Sequence, residues 1–242
     1  DCDASQTRFG SGQKQTTYIR GGDSRALTMQ SFMNFANKVA TGTLFDAAPT
    51  NDEERRATIE KMFASYKAKS FPNVHDAEPK EIQKDLEAKA DADDAEAKNK
   101  PVLVDCRPKG EQVSSVPGSI REEDLKVQDV PKDTEIVLYC TVGYRSGVKA
   151  AQLQKEYPDH KFANLKGGIL LWAHDVGKVV DGQGKDTKTI HVYGKAWDFL
   201  PDGWTSVMGE PDKLEVLTAP QPKKEIVPPQ DSIEATVNST ST

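Results

Sequence analysis

Three short apolar runs, each stopped by polar residues, constrain this chain more than anything else in it. Pro101-Val-Leu-Val-Asp105 and Glu135-Ile-Val-Leu-Tyr-Cys140 carry no polar alternation, as expected of strands buried on both faces. Lys161–Leu165 can form a third strand. Between the second and third lies Ser146 to Tyr157, with Val148, Ala151 and Leu153 at helical spacing. After the third come Gly167-Gly168 and the apolar stretch Ile169–Trp172, while Val116-Pro117-Gly118-Ser119 supplies turn chemistry between the first two. Strands alternating with helices at this spacing predict an α/β fold, a parallel sheet with helices on both faces.

The flanks read differently. Residues 1–25 are rich in Ser, Thr, Gln and Gly, and predict a flexible lead-in. Residues 26–73 predict a helical extension. Leu27, Met29, Phe32, Phe35 and Val39 make one amphipathic stripe, beside Met33 and Ala36. A second helix, capped by Asn51-Asp52, carries Ile59, Met62, Phe63 and Tyr66 on one side and stops at Phe71-Pro72-Asn73. From 78 to 100 the chain is highly charged; only Ile82 and Leu86 form an i, i+4 apolar pair, so a short surface helix followed by a solvated linker is expected. Residues 183–218 are expected to be a packed extension, because Ile190, Val192, Tyr193, Trp197, Phe199 and Leu200 are too apolar for a linker. Residues 219–242, with four prolines and a Ser/Thr-rich end, predict a disordered tail.

Charge and cysteine usage remove several function classes. Among 242 residues, 32 Lys+Arg face 38 Asp+Glu, a formal charge of −6, which argues against broad nucleic-acid binding. No run of roughly 18 apolar residues exists, so no membrane span is expected. Cys2, Cys106 and Cys140 are too few and scattered for a disulfide framework, and no His or Cys pair has metal-ligand spacing, so no metal site is expected. The sequence begins at Asp1 rather than Met, which reads as a processed form or a fragment with any targeting segment already removed. Reactive thiols favour a soluble protein in a reducing cytoplasmic or organellar interior over a secreted one.

Cys140 is the residue placed for chemistry. It ends a buried strand directly before a loop and helix, Cys140-Thr-Val-Gly-Tyr-Arg145-Ser146. Ligands of open α/β sheets bind beyond the carboxyl ends of strands, where helix N-termini present unpaired N–H groups. Those dipoles and Arg145 favour a thiolate, and Gly143 lets the loop curl around one sulfur. A cysteine ending an apolar strand is by itself more often an inert packing residue; the following Gly and Arg shift the balance. Cys106 lacks such companions and reads as a packing residue, and Cys2 as an exposed thiol.

These motifs together resemble the rhodanese-like domain, over about residues 74 to 182. Leu103-Val-Asp105-Cys-Arg107 with Glu111 is similar to the family's Asp-x-Arg…Glu segment, and Val116-Pro117-Gly118-Ser119-Ile120 to its Ile-Pro-Gly-Ala turn. The Cys140–Ser146 stretch resembles the active-site loop, and Asn164-Leu-Lys-Gly167-Gly168-Ile-Leu-Leu-Trp172 the late Leu-x-Gly-Gly-x-x-x-Trp segment. The resemblance implies a sulfurtransferase that needs no cofactor. Cys140 would take the outer sulfur of thiosulfate or a persulfide, protein-borne persulfides included, and pass it to a thiophilic acceptor by ping-pong nucleophilic catalysis. Arg145 and the N–H groups of Thr141, Val142, Gly143, Tyr144 and Ser146 would bind substrate. Asp105 and Arg107 would be structural, and Arg107 would pair with Glu111.

The four residues between Cys140 and Arg145 make a smaller ring than the Cys-x5-Arg of related phosphatases and arsenate reductases, one suited to sulfur rather than phosphate. Two features depart from the family: Ser114-Ser115-Val116 stands where Gly-His-Ile is usual, and Thr141 and Val142 are uncharged where thiosulfate-directed loops are more basic. Two other readings remain at this point. One is a catalytically quiet module that docks or regulates a partner. The other is a redox sensor in which Cys106 resolves an oxidised Cys140.

Overall fold

A computed structural model describes residues 49–88, 100–209 and 215–217. The stripe at Leu27–Val39, the lead-in, the linker after residue 88 and the tail lie outside those residues, as does Cys2.

Five parallel strands form the central sheet in the order β1-β6-β5-β2-β4: β1 (His75–Ala77), β2 (Val102–Asp105), β4 (Ile120–Arg121), β5 (Glu135–Tyr139) and β6 (Lys161–Leu165). Ile136, Val137, Leu138 and Tyr139 are all buried, and successive strand residues point to opposite faces, so both faces of the sheet are covered. The chain leaves β2 for β4 at one edge, then returns to β5 on the other side of β2 and moves on to β6. The carboxyl ends of β2 and β5 therefore flank the point where strand order reverses, the crevice in which such sheets bind ligands.

Among the described residues four α-helices pack around this sheet: α1 (Asp52–Ser70), α2 (Pro79–Ala88), α3 (Tyr144–Glu156) and α4 (Gly168–Asp175). The Asn51 side chain accepts from the Glu54 N–H at 2.9 Å and starts α1 as the sequence predicts. Ile59, Met62, Phe63 and Tyr66 recur at helical spacing and are buried, each contributing about 1.5–3 kcal/mol of hydrophobic stabilisation. α1 lies against both α3 and α4. α3 begins at Tyr144, two residues before the predicted start, which places Tyr144 and Arg145 on its first turn.

Among the described residues there are also two small three-stranded sheets. One is β3 (Ser114–Ser115), β7 (Val179–Asp181) and β8 (Asp186–Thr187); the other is β9 (Thr189–His191), β10 (Thr205–Met208) and β11 (Glu215–Leu217). Ile190, Val192, Trp197, Phe199 and Leu200 join the same core as the central sheet. None of the described helices is long and apolar enough to cross a membrane.

Candidate active site

The loop after β5 is held from below by α4. The N–H groups of Ile169 and Leu170, otherwise orphans of a helix start, donate to the carbonyls of Cys140 at 2.9 Å and Thr141 at 3.1 Å. This contact explains the second glycine of the pair: a Cβ on Gly168 would sit 2.3 Å from the Cys140 carbonyl oxygen. With its carbonyls turned to α4, the loop can turn N–H groups towards the sulfur. Gly143 caps α3 at φ +86°, a conformation costly for a residue with a side chain.

Cys140 is 1% exposed. Burial alone would push its pKa up. The Arg145 charge, the hydroxyl and N–H of Ser146 and the N–H of Val142 outweigh that, so it falls below the ordinary thiol value. At Cys106 burial dominates and pushes its pKa well up, the Lys149 charge opposing it only weakly. It stands one residue beyond the Asp105–Tyr139 register pair, its N–H donating to the Tyr139 carbonyl at 2.8 Å.

The two acidic residues of the sequence motif part company. Arg107 does not pair with Glu111. Its Nε and Nη2 donate to Asp105 at 2.6 to 3.2 Å, and Nη2 donates also to the Ser114 carbonyl. Both side chains are buried, at 0% and 2% exposure, and the Tyr139 hydroxyl donates to the same carboxylate at 3.1 Å. Glu111, carried on the short helical turn Lys109–Glu111, reaches instead to Arg145, whose two terminal nitrogens donate to its carboxylate at 2.9 and 2.5 Å. The competing partner Asp105 is only two residues from Arg107, so the nearer carboxylate takes it and leaves Glu111 for the loop.

Asn164, on β6, carries no sequence signal beyond its place at the start of the Asn164–Trp172 motif. Its amide links two loop positions, donating to the Gly143 carbonyl at 2.8 Å and accepting from the Ser146 hydroxyl at 2.7 Å. The Ser146 hydroxyl has one proton, so Asn164 Oδ1 and the Cys140 sulfur share it.

Aromatic residues from both flanks close on the loop. Tyr66 of α1 stands edge-on to the Tyr144 ring at 5.3 Å, beside the Trp197 side chain and within electrostatic reach of Cys140. Tyr193 lies under the Arg145 guanidinium, 5.5 Å from the ring centroid, and edge-on to Trp197 at 5.0 Å. The structure thus brings Cys140, Thr141, Val142, Gly143, Tyr144, Arg145, Ser146 and Glu111 together, and sets Asp105 and Arg107 behind them in the sheet. Among the described residues no cluster of three His, Cys, Asp or Glu side chains could hold a metal ion.

Comparison with known proteins finds a match over residues 83–175 to the family described as the rhodanese-like domain. A sulfurtransferase of Allochromatium vinosum is 33% identical over 60 residues, which make up 25% of this chain and 55% of that protein. The chain thus spans about half the length of the curated relative it matches. The solved thiosulfate sulfurtransferase of Pseudomonas aeruginosa is 22% identical, covering 56% of this chain and 24% of its own at a TM-score of 0.38. A rhodanese-related protein of Thermoplasma volcanium is 20% identical, covering 44% of this chain and 97% of its own at a TM-score of 0.33.

Proposed function

Residues 83–175 form a rhodanese-like domain, and from that premise we propose that this chain is a sulfurtransferase with Cys140 as its nucleophile. One observation carries the reading: the Cys140 sulfur sits under the N–H groups of Val142 and Ser146, beside Arg145, with a lowered pKa. A packing cysteine needs none of these; a thiolate that must persist at neutral pH and accept a second sulfur needs all of them. We take residues 74–182 as the domain proper and 183–218 as a packed extension, since Ile190 to Leu200 share its core.

In the first half-reaction the Cys140 thiolate attacks the outer sulfur of the donor. The donor S–S bond breaks, and its electron pair leaves with sulfite from thiosulfate, or with a thiolate from an organic persulfide. Cys140 then carries the sulfur as a persulfide, held by the N–H groups of the loop from Thr141 to Ser146. In the second half-reaction a nucleophilic acceptor takes that outer sulfur, and the Cys140 thiolate is regenerated. Arg145 holds the anionic sulfur in place, Glu111 fixes Arg145, and Asp105 with Arg107 keeps the strand end rigid.

The test is intact mass after incubation with thiosulfate and, separately, with a small organic persulfide, on the natural chain and on Cys140→Ser. A gain of one sulfur atom that cyanide removes and Cys140→Ser abolishes is expected. A folded, reduced protein that gains no sulfur from either donor would sink the enzyme and leave a partner-docking module as the better account.

A further inference from the structure

The charge around Cys140 says which donor the site accepts, given that the sulfurtransferase reading holds. Arg145 is the one cation of the Cys140–Ser146 loop, and its guanidinium is already committed. Glu111 takes both terminal nitrogens, Thr141 Oγ1 accepts a further bond at 3.2 Å, and the Tyr193 ring covers it at 5.5 Å. Three further basic side chains are also accounted for. Arg107 is bound to Asp105, Lys149 pairs with Glu122 at 2.8 Å, and burial holds His191 below its ordinary pKa. When Cys140 is ionised, one cation therefore faces two anions, the thiolate and Glu111. An incoming dianion meets net repulsion as it nears the site, over a path where dissolved salt still screens the charges. The surroundings offer aromatic surface instead: Tyr144 and Tyr193 are part-exposed beside the loop, backed by the buried Tyr66 and Trp197.

We propose that Glu111 and this aromatic wall make the site selective for sulfane sulfur carried on an uncharged organic group, a persulfide R–S–SH, over the thiosulfate dianion. The transfer balances without a further reagent. The Cys140 thiolate bonds to the outer sulfur, the donor S–S bond breaks, and R–S⁻ departs with the electron pair and takes a proton from water. Glu111 acts here through Arg145, as a positioning residue that sets donor preference.

The experiment measures single-turnover loading of Cys140 from thiosulfate and from the persulfide of N-acetylcysteine methyl ester, across a range of ionic strengths. In the natural chain the thiosulfate rate constant should rise with salt, as screened repulsion requires, while the organic persulfide rate should vary much less. Glu111→Gln should raise the ratio of thiosulfate to organic-persulfide rate constants by about tenfold, and Glu111→Asp should restore most of the original ratio. A thiosulfate rate that falls with salt, or a ratio that Glu111→Gln leaves unchanged or lowers, would overturn the preference while leaving the enzyme standing. The natural chain's own ratio of organic-persulfide to thiosulfate rate constants needs no variant, so it decides even where Glu111→Gln does not fold: a ratio below one overturns the preference. Loading by neither donor would overturn both the preference and the sulfurtransferase reading on which it rests.

Discussion

Asn164 binds Gly143 from the neighbouring strand, its amide nitrogen 2.8 Å from the Gly143 carbonyl, and so fastens the loop that carries Cys140 to β6. The same side chain accepts from Ser146 at 2.7 Å. Replacing it by alanine removes two hydrogen bonds at once, leaving the Gly143 carbonyl only the Gly147 N–H at 3.3 Å and the Ser146 hydroxyl only the Cys140 sulfur. Asn164→Ala should lose about 1–3 kcal/mol of stability in urea unfolding, and sulfur loading of Cys140 should slow because the loop N–H groups lose their alignment. Unchanged stability would show that the loop is held by α4 alone.

Cys140 makes folding depend on pH in a stated direction. Its pKa is lower in the folded protein than in the unfolded chain, where it has the ordinary thiol value. Between those two values the unfolded state binds more protons, so stability rises with pH across that window. It is fully present above the ordinary thiol pKa and is lost as pH falls through the folded value. Cys140→Ser should flatten this part of the profile. Alkylation of Cys140 should likewise inflect below the ordinary thiol pKa, and Arg145→Met should move that inflection upward.

The strongest apolar runs announced the sheet's centre, and the weakest elements were invisible for a physical reason. β2, β5 and β6 are four or five residues long and largely buried on both faces, which leaves a compositional trace. β1 is His75-Asp76-Ala77 and β4 only Ile120-Arg121; neither has the length to show a period, and both exist because β6 and β2 present free edges. In the site, Cys140, Gly143 and Arg145 stand close together in sequence and were readable as one loop. Asn164 and Glu111 act across 21 and 34 positions, where spacing carries no information about contact. Sequence spacing alone pairs Glu111 with Arg107, four residues away, whereas the fold pairs it with Arg145.

Arg107 and Asp105 form an ion pair with almost no solvent access. Removing one partner leaves an uncompensated buried charge, so Arg107→Met should cost about 3–5 kcal/mol. The double variant Asp105→Leu/Arg107→Met should be more stable than Arg107→Met, since no lone carboxylate remains. Chemical unfolding of the two variants side by side checks this. A double variant no better than the single would mean that the Ser114 and Tyr139 hydrogen bonds, rather than the ion pair, dominate the site's stability.

Gly168 and Gly177 both have positive φ, +59° and +74°, but they differ in what surrounds them. A Cβ at Gly177 would meet its nearest atom at 3.9 Å, so Gly177→Ala should cost only the backbone term, about 1–2 kcal/mol. At Gly168 the added carbon would press on the carbonyl oxygens of Cys140 at 2.3 Å and Thr141 at 2.7 Å. Neither oxygen can swing aside, because each belongs to backbone bonded to the start of α4. Gly168→Ala should therefore destabilise more than Gly177→Ala and, where it folds, displace the Cys140 loop and raise the thiol pKa. Measuring thiol alkylation against pH in both variants separates the outcomes: an unshifted inflection in Gly168→Ala would mean that α4 does not position the loop.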